Sequence, residues 1–514
     1  MTHCGVRPAP RPAACLSELP RWLRAGLVGL GLAGCGVAAS QPISDPLVVA
    51  PAHIRLGIEK LKLPGGENMG LVGSSYLIDL GHGFSAGPAV YGAISGRRGG
   101  LFTVGGELAW QHALAGPLSV DLGFYAGGGG GGSAPVGGGL MLRPHADLLW
   151  DFGPFLAGVS ASRVRFANGD IDSRQLGLVW KAKTDFRYVP RDRIGERSDL
   201  GGRSGMGFDR VQAVVGTYRP RPGARLVSGG ELSRSIGFVG ARLERAAGNH
   251  LYWGIEAGGA ARGGVAGYAE FLGTVGSELT VWPDVLTVGG RAAFGMGGGG
   301  DVDVGGGLLT KAAAYATLRL SRELGLSLEG GLTQAPQGSF KARHAALSLN
   351  WILDDPSDLT APPRNTRTEW AGGVERYEAL RRDGSRRALQ AVSLKANRFV
   401  TQHLYLTGQV HSAAGGGAGG YTAGLIGVGL QSPVGGRWHV GGEAVIGAAG
   451  GGGIETRGGA IVQPSAYIGY DLSPSLSLRV GAGRIKSLKN DGLDANMVDV
   501  VLAFTFGVAG HGYR

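Results

Sequence analysis

The chain has 514 residues, 99 of them glycine, and only 17% carry a charged side chain. Glycine at that level is far above the usual ~7%, and no run of about 18 apolar residues occurs, which excludes helical membrane spans. The net charge of +11 comes from scattered basic residues with no interleaved aromatics; nucleic acid is not an expected partner, and a solvated or lumen-facing basic surface is.

In chain order, Arg21 and Arg24 precede an apolar run from Ala25 to Leu32, the basic-then-apolar order of a secretory signal. Leu32-Ala33-Gly34-Cys35 follows directly. This segment resembles the lipobox of bacterial lipoproteins. The resemblance implies a signal peptide over 1–34, lipidation at Cys35 and a tether over 35–52. The alternative is an ordinary signal cut near Val37-Ala38-Ala39, and either sends the chain out of the cytoplasm. Cys4, Cys15 and Cys35 are the three cysteines, so no disulfide framework is expected to hold the fold.

The rest of the chain repeats itself three times. Gly127 to Gly132, Gly297 to Gly300 and Gly450 to Gly453 are glycine runs in matching places. Val136-Gly137-Gly138-Gly139-Leu140 parallels Val304-Gly305-Gly306-Gly307-Leu308, and His250-Leu251-Tyr252 parallels His403-Leu404-Tyr405. The spacing is far beyond that of solenoid repeats, so each copy is domain-sized. The expected division is β repeat 1 over 53–189, a loop or linker over 190–206, repeat 2 over 207–353, a loop or linker over 354–367, and repeat 3 over 368–514.

Within each copy the apolar positions alternate. Leu178, Trp180, Phe186 and Tyr188 share one face of a strand, opposite Lys181, Lys183, Asp185 and Arg187. Ala345, Leu347, Leu349 and Trp351 likewise oppose His344, Ser348 and Asn350. About eight strands per copy, many of about 9–12 residues, suit a tilted crossing of hydrocarbon. A soluble sandwich would also alternate; the export signal and the strand lengths favour the membrane. The expected fold is all-β, an antiparallel transmembrane β-barrel resembling bacterial outer-membrane barrels. One large barrel of about 24 strands is favoured over three of about eight.

Chemical motifs are sparse. No lysine-serine or lysine-threonine pair follows a glycine run as a phosphate loop requires, so the runs read as flexible turns or as bare backbones in close approach. Dispersed histidines give no metal-ligand spacing, and Gly83-Phe84-Ser85-Ala86-Gly87 lacks the strand-turn-helix setting of an esterase elbow. No catalytic, cofactor-binding or metal residue is assigned, and no cofactor or enzyme activity is expected. Glu107, Glu278 and Gln431 occupy matching slots in the copies. With Lys181, Lys183, Arg242, Arg291, Lys395 and Arg479, they are the candidate lumen-facing residues.

These features point to an outer-membrane, lipid-anchored barrel acting as a pore or export conduit for polar or anionic cargo. The alternatives are a non-transporting surface scaffold or adhesin of three β units, or a rim-located lipid-modifying enzyme. Membrane lipid is the expected partner, with room for envelope or secretion proteins; the oligomeric state is open.

Overall fold

The computed structural model describes residues 47–196, 207–354 and 364–510. Cys35 and the leader lie outside the described residues. Twenty-four strands occur among those described. The first copy contains β1 (Val48–Lys62), β2 (Asn68–Gly81), β3 (Phe84–Ser95), β4 (Phe102–Ala115), β5 (Leu118–Gly130), β6 (Met141–Asp151), β7 (Phe155–Phe166) and β8 (Asp172–Tyr188). The second contains β9 (Arg210–Pro220), β10 (Ile236–Ala246), β11 (Leu251–Arg262), β12 (Ala269–Trp282), β13 (Leu286–Gly298), β14 (Leu308–Arg319), β15 (Leu324–Gln334) and β16 (Lys341–Ile352). The third contains β17 (Arg364–Leu380), β18 (Arg386–Phe399), β19 (Leu404–Gly415), β20 (Thr422–Gly435), β21 (Trp438–Gly450), β22 (Ala460–Asp471), β23 (Leu476–Ser487) and β24 (Asp494–Gly510).

Each copy closes on itself. β1 pairs with β8, β9 with β16 and β17 with β24, all antiparallel. The favoured single wide wall is therefore corrected to three separate eight-stranded barrels. The reason lies in the edge strands. The first and last strands of each copy match in register, from Val48↔Tyr188 to Glu59↔Gly177, from Arg210↔Ile352 to Pro220↔Ala342 and from Arg364↔Gly510 to Tyr377↔Met497, so each copy satisfies its own edges without a neighbour's strand. Two boundaries also move: β1 begins within the stretch read as tether, and β17 within the second linker.

The barrels are inside-out relative to a soluble core. On β16, Leu347 and Leu349 face outward and are 43% and 44% exposed, while Ser348 and Asn350 are buried at 1%. β8 repeats this with Leu176 and Leu178 outside and Lys181 inside. A one-residue slip would exchange the two faces, so the alternation pins the register.

The two ends of each barrel differ. At the turn end strands are joined tightly, as at 82–83 and 116–117; at the loop end the connections run longer, as at 131–140, 299–307 and 451–459. There the loops fold over the interior. Val136 and Ile171 join Leu61, Met69 and Phe166 in an apolar cluster of the first barrel. Val265 and Val302 join Ile236 and Phe340 in the second, and Ile454 and Leu493 join Leu389 and Ile461 in the third.

The barrels meet pairwise by one repeated contact. Loop 96–101 of the first lies against the glycine run of the second: Gly99 N donates to Gly305 O at 3.0 Å. Loop 263–268 of the second lies against Gly450 and Gly451 of the third. Loop 416–421 of the third lies against the first, with Gly419 N donating to Gly137 O at 2.9 Å and Gly420 N to Gly129 O at 3.1 Å. A Cβ on Gly100 would stand 2.2 Å from Gly299 N, and one on Gly450 2.2 Å from Gly267 N. The glycine runs are thus seams where bare backbones touch. Such a head-to-tail contact makes a ring when its rotation closes, and here it closes after three steps. One seam carries more: Phe186, Tyr76, Trp370 and Phe506 interlock between the first and third barrels.

Candidate functional site

The candidate lumen residues are turned into their barrels, but they do not line open water. In the first barrel Arg55 pairs with Asp147 at 2.9 Å and Arg143 with Glu59 at 2.9 Å. Glu107 accepts the Tyr91 hydroxyl at 2.8 Å, and Lys181 reaches Asp121 at 2.5 Å. Lys183 differs: it sits at the rim, partly exposed, 2.7 Å from Asp151.

The second barrel holds a denser network. Arg242 bridges Glu256 and Glu329, at 2.5 and 2.8 Å. Arg291 bridges Glu244 and Glu329, at 2.8 and 3.1 Å. Glu278 is partly buried and accepts from Arg210 and Tyr315, each at 3.0 Å. In the third, Lys395 lies between Glu443 and Asp499, at 3.2 and 3.3 Å. Arg479 contacts Glu369 at 2.8 Å and, with Tyr467, donates to Gln431. Glu107, Glu278 and Gln431 therefore share a role: each accepts a tyrosine hydroxyl.

Eight strands leave room only for their own side chains, and these interiors are filled by paired charges below an apolar plug. Removing charge from water is costly unless it is paired and hydrogen-bonded, which accounts for the carboxylates set against nearly every inward cation. These partners, Glu59, Asp121, Asp147, Glu256, Glu369 and Glu443 among them, were not singled out from the sequence. Their alternation phase was visible; the strand that would bring each opposite a cation was not. Among the described residues, these inward cations are held by carboxylates of their own barrel.

The large space lies between the barrels. A cavity of about 1940 Å³ is walled by outward-facing residues of all three, including Val104, Val239, Ala257, Leu394, Val410 and Ile426. Its lining extends from Phe208, Leu353 and Phe506 towards the turn end to Arg97, Arg225 and Arg382 at the loop end. Spread over the ~25 Å apolar band of an outer-membrane barrel, that volume gives a mean cross-section of roughly 80 Å², about the footprint of one α-helix. Sequence reading missed this cavity. The one available signal was small residues at outward positions, such as Ala241, Gly408 and Gly424, where other outward positions carry Leu, Val or Trp. Gly408 and Gly424 have open space where a Cβ would stand.

Among the described residues, no group of three or more His, Cys, Asp or Glu side chains is placed to hold a metal ion. The sequence matches no protein-family model and no curated protein. Solved structures do resemble it. The outer membrane protein OpdK of Pseudomonas aeruginosa is 9% identical over 89% of this chain and 99% of its own, with a TM-score of 0.23. A designed transmembrane β-barrel is 16% identical over 27% of this chain and 94% of its own, with a TM-score of 0.19. The siderophore receptor PirA of Pseudomonas aeruginosa is 11% identical over 90% of this chain and 80% of its own, with a TM-score of 0.26.

Proposed function

We propose that this chain is a bacterial outer-membrane protein that carries cargo between its barrels rather than through them. The observation that carries the reading is the pairing of three closed, inside-out barrels, whose inward charges are paired, with a cavity whose lining reaches from the turn end to the loop end. An exposed belt of Leu, Val, Phe and Trp around barrels whose charges are buried matches hydrocarbon outside. The lipobox-like Leu32-Ala33-Gly34-Cys35 supports export, with Cys35 as the lipid anchor. The barrel cations are already paired, so no free basic lumen draws polar anions inward. An apolar wall instead favours cargo with an apolar body, and the role is that of a carrier, not a catalyst.

The test is transfer of a fluorescent amphiphile across vesicles holding the folded protein. Faster transfer than in empty vesicles is expected, with Gly408→Phe, which projects a ring into the cavity, slowing it by about tenfold. No acceleration by wild-type protein would end the conduit reading. The filled interiors favour a second reading, a non-transporting three-barrel scaffold; it predicts wild-type and Gly408→Phe vesicles identical to empty ones.

A further inference from the structure

We infer that the loop end of the central cavity recognises a phosphorylated lipid, with its phosphate at a ring of three arginines and its acyl chain in the space beneath. The inference rests on the conduit reading and names its substrate class. Arg97 stands in the loop between β3 and β4, Arg225 between β9 and β10, and Arg382 between β17 and β18. Each barrel thus contributes one guanidinium, and all three line the same cavity. All three are exposed, and among the described residues none of the three guanidiniums makes an ion pair or hydrogen bond; Arg225 donates only its backbone N–H, to the Ser339 hydroxyl at 2.9 Å. That sets them apart from the paired cations inside the barrels.

Of the other charges at this mouth, Arg98 and Glu67 pair with each other, while Asp301 and Asp303 are held by neutral donors. Arg98 is bound to Glu67 at 2.6 Å and to the Ser133 carbonyl at 2.7 Å. Asp301 accepts from the Ser228 hydroxyl at 2.6 Å, and Asp303 accepts the Ser339 N–H at 3.1 Å. With Arg98 and Glu67 cancelling, three free guanidiniums stand against the two carboxylates of Asp301 and Asp303, a small positive excess at the rim. Guanidinium forks match phosphate oxygens bidentately, whereas a neutral or zwitterionic headgroup supplies less net charge to hold them. Below the rim the lining turns to Val239, Ala257, Val410 and Ile426, which can shelter hydrocarbon but offer a free phosphate nothing. An anionic head joined to an apolar tail satisfies both parts of the site at once.

The full-length protein in detergent is offered equal amounts of dioleoyl phosphatidic acid and dioleoyl phosphatidylcholine, and bound lipid is read by native mass spectrometry. Phosphatidic acid is expected to be retained about tenfold over phosphatidylcholine, a gap of about 1.4 kcal/mol. The triple variant Arg97→Ser, Arg225→Ser, Arg382→Ser, altered only at exposed loop positions, should keep lipid and lose the preference. Gly408→Phe should lose both lipids, and excess inorganic phosphate should displace neither. Equal retention by the wild type, an undiminished preference in the triple variant, or displacement by inorganic phosphate (the mark of a free-anion site) would overturn the inference. The readout is binding, so a failed preference leaves amphiphile transfer untouched. Intact preference without transfer removes the conduit alone.

Discussion

At Lys181 the ammonium lies 2.5 Å from Asp121, and both side chains are almost wholly shielded from solvent. Either charge alone in that place is unpaired in a medium that solvates it poorly. Lys181→Met is therefore expected to cost about 3–5 kcal/mol, and adding Asp121→Leu to recover most of it; denaturant unfolding of the refolded protein in detergent measures both. If the double variant is as unstable as the single one, the pair is not the source of the loss. On the same strand Leu178, 63% exposed, points the other way. Leu178→Arg should cost about 2–4 kcal/mol when unfolding is followed from vesicles, and an unchanged free energy there would argue that this face meets water. Which of these side chains pointed inward was legible from period-two alternation. Which carboxylate met which cation was not, because Asp121 and Lys181 sit on β5 and β8 and their meeting depends on closure.

Strand positions were legible because each strand alternates on its own, but the glycine runs admitted two readings, flexible turns or backbones in close approach. At the seams the second holds. Gly450 lies within β21 against Gly267 of the neighbouring barrel, and its backbone angle is one that any residue can adopt. Gly450→Ala therefore tests crowding without backbone strain. It is expected to loosen the contact between the second and third barrels, seen as faster amide exchange in 263–268 and 451–459. Gly408→Ala, with open space around its Cβ, is the matched control and should leave exchange unchanged. Equal behaviour of the two variants would deny the seam its role. Composition revealed that these bare stretches exist; only the partner barrel explains why they are bare.

One wall or three satisfy lipid equally, since both pair every strand, so alternation carried no information about closure. Connection length gave no cue either, since 221–235 within the second barrel is longer than 353–363 between the second and third. The outcome changes what the repeated slot at Glu107 and Glu278 does. Glu107→Ala and Glu278→Ala are expected to lower stability while leaving bilayer conductance and ion selectivity at the wild-type level; altered selectivity would mean that ions do cross a barrel interior. Imaging in a flat membrane should show three narrow rings around a common centre. The three seams are not equal. Val189 exchanges backbone hydrogen bonds with Gly507 at 2.9 and 2.7 Å, and Arg191 reaches Asp471 at 2.9 Å, so the first-made barrel is clasped to the last-made one. Gly507 leaves the ribosome long after Val189. The first barrel's flank therefore gains this cover only when the chain's last strand is in place. Cysteine pairs placed at the three seams and followed by pulse-labelling should lock this junction last, and a junction that locked first would show that assembly does not wait.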